Sequence, residues 1–209
     1  MNYRLYLITD SSLAQDTLFS NVVSAIRGGV TVVQYRNKTA PIKNIIDEAK
    51  RLKKITQAAN VPLLINDRVD VALAVDADGV HVGQDDMSIR RVRTLLGAKK
   101  IIGVSVKTIE QARRAEKEGA DYLGVGSVFA TKTKKDAGEP IGLLMLKQIA
   151  NSVTIPVIGI GGITKENATD VIAAGAKGVA VISAIMGKQD TEKEARELLS
   201  IVRAQSRTH

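Results

Sequence analysis

The chain has 209 residues, of which 44% are hydrophobic and 25% charged, an ordinary composition for one globular domain. It contains no cysteine, which excludes disulfides, thiolate metal sites and a cysteine nucleophile and makes the reducing cytoplasm the expected location. No apolar stretch approaches the ~20 residues of a membrane helix, and the N-terminus lacks the pattern of a signal peptide.

The formal net charge is +8, which favours anionic partners such as phosphorylated metabolites, nucleic acids or acidic membranes, although a basic solvated surface would also explain it. Aromatic residues make up only 3%, so stacking platforms for bases are scarce. The basic residues are also interspersed with acidic ones instead of forming one stripe. We therefore expect small phosphorylated molecules as ligands, with no nucleic acid and no membrane as partner.

A unit of about 26 residues recurs along the chain, as expected if 209 residues are divided among eight units. Each unit begins with a short apolar run, which is typical of a strand buried on both faces of a parallel sheet. The predicted strands are residues 5–8, 30–33, 63–65, 79–82, 101–104, 122–125, 157–160 and 179–182. The predicted amphipathic helices are residues 18–27, 42–59, 68–75, 88–96, 108–118, 142–151, 165–174 and 191–204.

Glycines follow several predicted helices, at Gly28-Gly29, Gly97, Gly119 and Gly175, as helix C-termini require. Eight strand-then-helix units predict an α/β fold, a single (β/α)₈ TIM barrel formed by residues 1–209. An open doubly wound sheet is the alternative, but it would more often carry a glycine-rich turn after its first strand, where this chain has Thr9-Asp10-Ser11-Ser12. In a barrel, the active site is expected at the C-terminal ends of the strands.

Polar residues follow the second strand, where Gln34, Arg36 and Lys38 share one face because strand side chains alternate. Two cations and an amide on one face suit phosphate oxygens. A solvated strand end is the alternative. It is disfavoured if the face points into the barrel, because burying two cations without an anion is costly.

Acidic residues follow the next two strands, in Asn66-Asp67 and Gln84-Asp85-Asp86. Mg²⁺ prefers one or two carboxylates together with waters and substrate phosphates. We therefore assign Asp67 and Asp86 to a predicted Mg²⁺ site. Helix capping or a turn is the alternative for each carboxylate.

The remaining strand ends carry groups suited to hydrogen bonding. We expect His81 to be a structural histidine, and Ser105, without a nearby histidine, to be a hydrogen-bond donor and not a nucleophile. The connection of residues 126–140 is the longest, and its hydroxyls and lysines suit phosphate binding and closure over substrate. Gly161-Gly162 and Ile182-Ser183 follow the seventh and eighth strands, where barrels commonly bind phosphate. The residues thus predict two anion sites, one of them with a metal.

Together these motifs resemble those of the thiamine phosphate synthase family, in family order along nearly the whole chain. The matching stretches are residues 5–10, 34–38, 64–67, 77–86, 103–105, 119–122, 126–134, 160–163 and 181–184. Tyr35 and Asn37 depart from the pattern, because the family commonly has Leu and an acidic residue at these positions.

The resemblance implies two phosphorylated substrates, a hydroxymethylpyrimidine diphosphate and a thiazole phosphate. For the pyrimidine diphosphate it implies binding by Gln34, Tyr35, Arg36, Asn37, Lys38, Asn66, Ser105 and Lys134. For the thiazole phosphate it implies Thr131, Lys132, Thr133, Gly162, Ile182 and Ser183. Asp67 and Asp86 would hold one Mg²⁺ per subunit.

In the family, diphosphate leaves first and the thiazole nitrogen attacks the resulting pyrimidine cation. The resemblance therefore implies that Arg36, Lys38, Ser105 and Lys134 assist catalysis, with no protein nucleophile. A thiazole tautomerase of the same fold is one alternative, although it would not need the metal carboxylates or the full diphosphate cradle. A phosphate-sensing or nucleic-acid-binding regulator is another, and a homo-oligomer is compatible with the sequence.

Overall fold

Short apolar runs alternate with amphipathic stretches along this chain. In the computed structural model each run forms a strand and each stretch forms a helix. The structure describes residues 1–13, 17–131, 133 and 138–205. Their strands are β1 (Leu5–Ile8), β2 (Val32–Tyr35), β3 (Leu63–Asn66), β4 (Gly79–Val82), β5 (Ile101–Val106), β6 (Tyr122–Val125), β7 (Val157–Ile160) and β8 (Gly178–Val181). Their helices are α1 (Leu18–Arg27), α2 (Ile42–Ala58), α3 (Val69–Ala74), α4 (Ile89–Leu96), α5 (Ile109–Glu118), α6 (Gly142–Ser152), α7 (Ala168–Ala173) and α8 (Thr191–Gln205).

The strands pair in parallel and close into a barrel in the order β1 to β8. The closing pair is β1 with β8, where Leu5 lies opposite Val179. An open doubly wound sheet would leave two unpaired edges, so closure confirms the predicted (β/α)₈ barrel and excludes that alternative.

Strand alternation divides the buried residues between two cores. Leu7, Val33 and their counterparts on other strands pack against the surrounding helices. The barrel interior is a separate, smaller cluster, formed by Tyr3, Tyr6, Ile8, Val32, Leu64, Tyr122, Ile158 and Ala180. Residues two positions beyond an interior residue also face inward, which brings the polar strand ends to the top of the barrel.

The predicted helix ends are confirmed where glycine was expected. Gly119 ends α5 in the left-handed conformation, with φ 96°, and its N–H donates to the carbonyl of Glu116. Gly97 and Gly175 also have positive φ values, 77° and 101°. At the other end of α5, the Thr108 side chain accepts a hydrogen bond from the Gln111 N–H at 3.2 Å.

Four strands, β2, β3, β5 and β8, have bounds that differ from the predicted ones. β2 begins at Val32 instead of residue 30, and the preceding Thr31 hydroxyl bonds instead to the backbone N–H and carbonyl of Leu5, at 3.1 and 3.0 Å. β5 continues to Val106, so that Ser105 lies within the strand. Among the described residues, no helix has the length and apolar character needed to cross a bilayer.

Candidate active site

A cavity of about 460 Å³ lies at the C-terminal ends of the barrel strands. Its lining includes side chains or backbone from every strand end or the connection that follows it. Most of the residues predicted from the sequence meet there. Those that line the cavity are Gln34, Arg36, Lys38, Asn66, Asp67, Asp86, Ser105, Thr131, Thr133, Gly162, Ile182 and Ser183.

The cationic side of the cavity is built on β2 and held by the turn after β1. Arg36 Nη1 donates to Asp10 Oδ2 at 3.0 Å, and the backbone N–H of Arg36 donates to the Thr9 hydroxyl at 3.0 Å. Asp10 Oδ1 in turn accepts the backbone N–H of Ser12 at 2.9 Å. Because Asp10 and Arg36 are largely buried, with side chains 8% and 16% exposed, the guanidinium is held in one orientation at the cavity wall.

Lys38 extends this cationic wall toward a pair of carboxylates. Its Nζ lies 3.7 Å from Asp67 Oδ2. Asp67 has a left-handed backbone conformation, with φ 58°, and its N–H donates to the carbonyl of His81 at 2.8 Å. This turn directs the side chain of Asp67 into the cavity instead of along the strand.

Asp67 and Asp86 both line the cavity, and their carboxyl groups interact. Burial, reinforced by the negative charge of Asp86, raises the pKa of Asp67 to about 6, while Lys38 acts in the opposite direction. The Gly83 N–H fixes Asp86 through a 2.7 Å hydrogen bond to Oδ2. Two neighbouring carboxylates beside two cationic side chains fit a divalent cation that also takes water and phosphate oxygens. The described residues contain no larger group of three or more acidic or histidine ligands.

The opposite wall carries hydroxyls and backbone amides. The Thr133 hydroxyl lies 3.4 Å from that of Ser183, and the Thr133 N–H donates to Thr131 Oγ1 at 3.3 Å. Gly162 has φ 65°, and a Cβ there would lie 2.5 Å from the Ala130 carbonyl oxygen. Only glycine lets these two backbone segments approach so closely. This wall therefore suits a second phosphate.

The floor of the cavity is a group of buried polar side chains that sequence analysis missed in part. Tyr6 and Tyr122 face each other inside the barrel, with their hydroxyls 2.8 Å apart. His81 Nδ1 lies 2.7 Å from the Tyr122 hydroxyl, and its Nε2 lies 2.8 Å from Ser105 Oγ. The expectation that Ser105 has no histidine nearby is therefore wrong. Strand parity could have revealed it, since β4 and β5 are neighbours and both residues fall on inward positions.

Two of the predicted substrate-binding residues do not reach the cavity. The Tyr35 hydroxyl donates to Glu48 Oε2 on α2 at 2.5 Å, and Asn37 Nδ2 lies 3.4 Å from the same oxygen. Both have odd numbers at the end of β2 or just beyond it, where the even-numbered side chains face the cavity, so alternation directs them toward α2. The predicted lysines Lys132 and Lys134 lie outside the described residues.

Comparison with known proteins agrees with this geometry. Residues 5–185 match the family model described as thiamine monophosphate synthase. The chain belongs to the thiamine monophosphate synthase family. This family member is 51% identical, over 203 residues, to a protein of Chloroflexus aurantiacus named thiamine-phosphate synthase, covering 97% of this chain and 94% of that protein. A Clostridium novyi protein of the same name is 50% identical over 202 residues, covering 96% and 99%.

The solved structures extend the likeness to the fold. The thiamine phosphate pyrophosphorylase of Pyrococcus furiosus superposes on this thiamine monophosphate synthase family member with a TM-score of 0.89 and is 45% identical. The match covers 98% of this chain and 97% of that one. The likeness in fold therefore extends over almost the entire length of both chains.

Proposed function

We propose that this chain is a transferase of thiamine biosynthesis that joins 4-amino-2-methyl-5-(diphosphooxymethyl)pyrimidine to 4-methyl-5-(2-phosphooxyethyl)thiazole. The observation that carries the proposal is the identity of about half the residues, over nearly the full length, to proteins named thiamine-phosphate synthase. The products are thiamine phosphate and diphosphate. The C–O bond to diphosphate breaks with its electron pair on the leaving oxygen, and the thiazole nitrogen lone pair forms the new C–N bond.

In this proposal the cationic wall binds the diphosphate. Arg36, fixed by Asp10, and Lys38 face the oxygens on which negative charge grows as the C–O bond breaks, and such preorganised charge lowers the barrier. The aminopyrimidine ring stabilises the cation that is left behind, so no protein nucleophile is needed. The contribution of Lys134 stays a prediction. Gln34, Asn66 and Ser105 hold the ring and its substituents.

Asp67 and Asp86 would hold one Mg²⁺ ion. When bound, the ion would neutralise part of the diphosphate charge and so assist its departure. Burial, and after it the negative charge of Asp86, raises the pKa of Asp67, and this closeness of two carboxylates supports the assignment.

The hydroxyl wall binds the thiazole phosphate. Thr131, Thr133 and Ser183 offer hydroxyl donors, and the glycine backbone at Gly162 offers close approach. The two phosphorylated ends thus lie on opposite sides of one cavity, which brings the thiazole nitrogen toward the pyrimidine methylene. We place Ile182 at the apolar part of this wall, and the part of Lys132 stays a prediction.

We further propose that residues 1–209 act as one catalytic domain, supported by the pairing of the first strand with the last. A cytoplasmic location and a homo-oligomeric state stay predictions from the sequence.

The thiazole tautomerase alternative is less well supported, because the relatives at about 50% identity carry the name of the synthase. The cavity also presents the cations and paired carboxylates that a tautomerase would not need.

The decisive experiment mixes purified protein, both phosphorylated substrates and Mg²⁺, and detects thiamine phosphate by fluorescence after oxidation. We expect product only when both substrates are present. Folded protein that forms no thiamine phosphate, but isomerises a thiazole precursor alone, would replace the synthase by the tautomerase. Salt-dependent DNA binding in a gel-shift assay would instead support the regulator alternative.

A further inference from the structure

Five polar side chains form one continuous hydrogen-bonded series across the bottom of the cavity, which we call the floor chain. From one end to the other it runs Gln34, Tyr6, Tyr122, His81 and Ser105. The successive distances are 2.7, 2.8, 2.7 and 2.8 Å. The first four side chains are buried, so the protons that they share need hydrogen-bond acceptors.

The direction of the chain is set at the Gln34 end. Gln34 Nε2 can only donate, and it donates to the Tyr6 hydroxyl. The single proton of Tyr6 is then directed to the Tyr122 oxygen, and the single proton of Tyr122 to His81 Nδ1. Burial raises the pKa of both tyrosines above the usual range, so both remain phenols that carry a proton to donate.

We propose that this directional chain fixes His81 as the neutral tautomer protonated on Nε2, and that His81 is a positioning residue which makes Ser105 a donor to the substrate. Nε2–H donates to Ser105 Oγ, so the Ser105 proton is free to turn toward the cavity. At the other end, Gln34 Oε1 remains as an acceptor. This inference rests on the proposed function in one respect, since it takes the pyrimidine to be the ring that meets these groups.

A reversed chain would conflict with the burial of its members. A proton on His81 Nδ1 would be donated to Tyr122, whose own proton would then have no acceptor while Tyr6 also donates to that oxygen. Among the described residues, no buried side-chain nitrogen or oxygen lacks a hydrogen-bond partner. The complementary ligand edge has a donor for Gln34 and an acceptor for Ser105, as an aminopyrimidine does with its amino group and ring nitrogens.

The tautomer can be measured directly on the protein without substrate. The chain has only two histidines, so His209→Gln leaves His81 as the single imidazole in a ¹⁵N-labelled sample. Long-range ¹H–¹⁵N correlation separates a protonated ring nitrogen from a bare one. We expect a bare Nδ1 and a protonated Nε2. A proton on Nδ1, or exchange between both tautomers in similar amounts, would overturn the proposal.

A second variant tests whether Gln34 sets the tautomer of His81 from three side chains away. In Gln34→Glu the carboxylate can only accept, so Tyr6 should donate to it, Tyr122 to Tyr6, and His81 Nδ1–H to Tyr122. We therefore expect Nδ1 to become protonated. The same substitution in a Tyr6→Phe background, with Tyr6→Phe alone as reference, should cause no such change, since the chain is cut. A bare Nδ1 in Gln34→Glu, or a change that persists without the Tyr6 hydroxyl, would contradict the proposal.

Kinetics then connect the tautomer to substrate binding. Tyr122→Phe removes the donor to His81 Nδ1 while keeping the ring, and we expect the KM for the pyrimidine diphosphate to rise about tenfold with the KM for the thiazole phosphate unchanged. An equal change in both KM values would indicate general loosening of the barrel and would refute the positioning role. A wild-type protein that makes no thiamine phosphate would refute the synthase while leaving the tautomer result intact.

Discussion

Asp10 holds the guanidinium of Arg36 from behind, with Arg36 Nη1 3.0 Å from Asp10 Oδ2. The two residues belong to different strand ends, after β1 and within the segment that follows β2, and both are largely buried. Asp10 has no place in the cavity lining, so it acts on the substrate only through Arg36.

Asp10→Asn should therefore weaken binding of the pyrimidine diphosphate. A hydrogen bond to a charged group contributes about 1.5–3 kcal/mol, so we expect its KM to rise about tenfold or more. Initial rates at varied pyrimidine diphosphate would measure this. Asp170→Asn, at an exposed position on α7, serves as the matched control and should leave both KM values unchanged. An unaltered KM in Asp10→Asn would show that Arg36 needs no such support.

Asp67→Asn should abolish the stabilisation of the protein by Mg²⁺. The variant keeps the size of the side chain but removes one of the two charges that would bind the ion. Thermal unfolding with and without Mg²⁺ should show an increase in Tm for the wild-type protein and none for the variant. The rate of thiamine phosphate formation by Asp67→Asn should also fall.

Asp85→Asn is the control for that experiment, because Asp85 is the exposed sequence neighbour of Asp86 and the Asp67 carboxyl interacts with Asp86. It should retain the Mg²⁺-dependent increase in Tm. Full turnover by Asp67→Asn would remove the metal assignment altogether, and chelation of the wild-type protein provides an independent check.

Gly162→Ala should impair binding of the thiazole phosphate. The added Cβ would lie 2.5 Å from the Ala130 carbonyl oxygen and 2.8 Å from Phe129 Cβ, so the loop that carries Thr131 must shift. We expect the KM for the thiazole phosphate to rise by about tenfold or more, with a smaller change for the pyrimidine diphosphate.

Gly97→Ala is the control that separates the effect of backbone strain from the effect of the steric clash at Gly162. Gly97 also has a positive φ, 77°, but a Cβ there meets nothing within 4 Å. It should cost about 1–3 kcal/mol of stability and leave both KM values unchanged. If Gly162→Ala loses stability but keeps both KM values, as Gly97→Ala should, the thiazole phosphate does not bind at the hydroxyl wall.

Tyr35→Phe should alter stability and not substrate binding. Its hydroxyl donates to Glu48 on α2, away from the cavity. Removing one hydrogen bond to a charged partner should lower the free energy of unfolding by about 1–3 kcal/mol, measured by denaturant titration. A raised KM for the pyrimidine diphosphate would restore the binding role that the sequence motif implied.

Local sequence patterns were sufficient to predict the elements of this protein. Apolar runs and the glycines that end helices are local signals. The spacing of apolar residues is set within one helical turn or one strand, so it can be read from a short stretch of sequence. The predicted strands at residues 5–8, 79–82, 122–125 and 157–160 have the observed bounds. The inward face of Gln34, Arg36 and Lys38 followed from the same alternation.

That alternation also excludes Tyr35 and Asn37 from the cavity, although the family motif had included them with their neighbours. A motif records which positions occur together, whereas a strand sends adjacent side chains to opposite faces.

Residue patterns along the chain predict the order of strands and helices and the clustering of polar groups at strand ends. Which of those groups touch follows from the three-dimensional packing of the barrel. His81 and Ser105 are 24 residues apart, farther than any contact within a single helix or strand. The pairing of β4 with β5 nevertheless brings His81 Nε2 within 2.8 Å of Ser105 Oγ. Such contacts depend on strand register and barrel closure, which arise from packing over the whole chain, so alternation can indicate that both side chains face inward but not how far apart they lie.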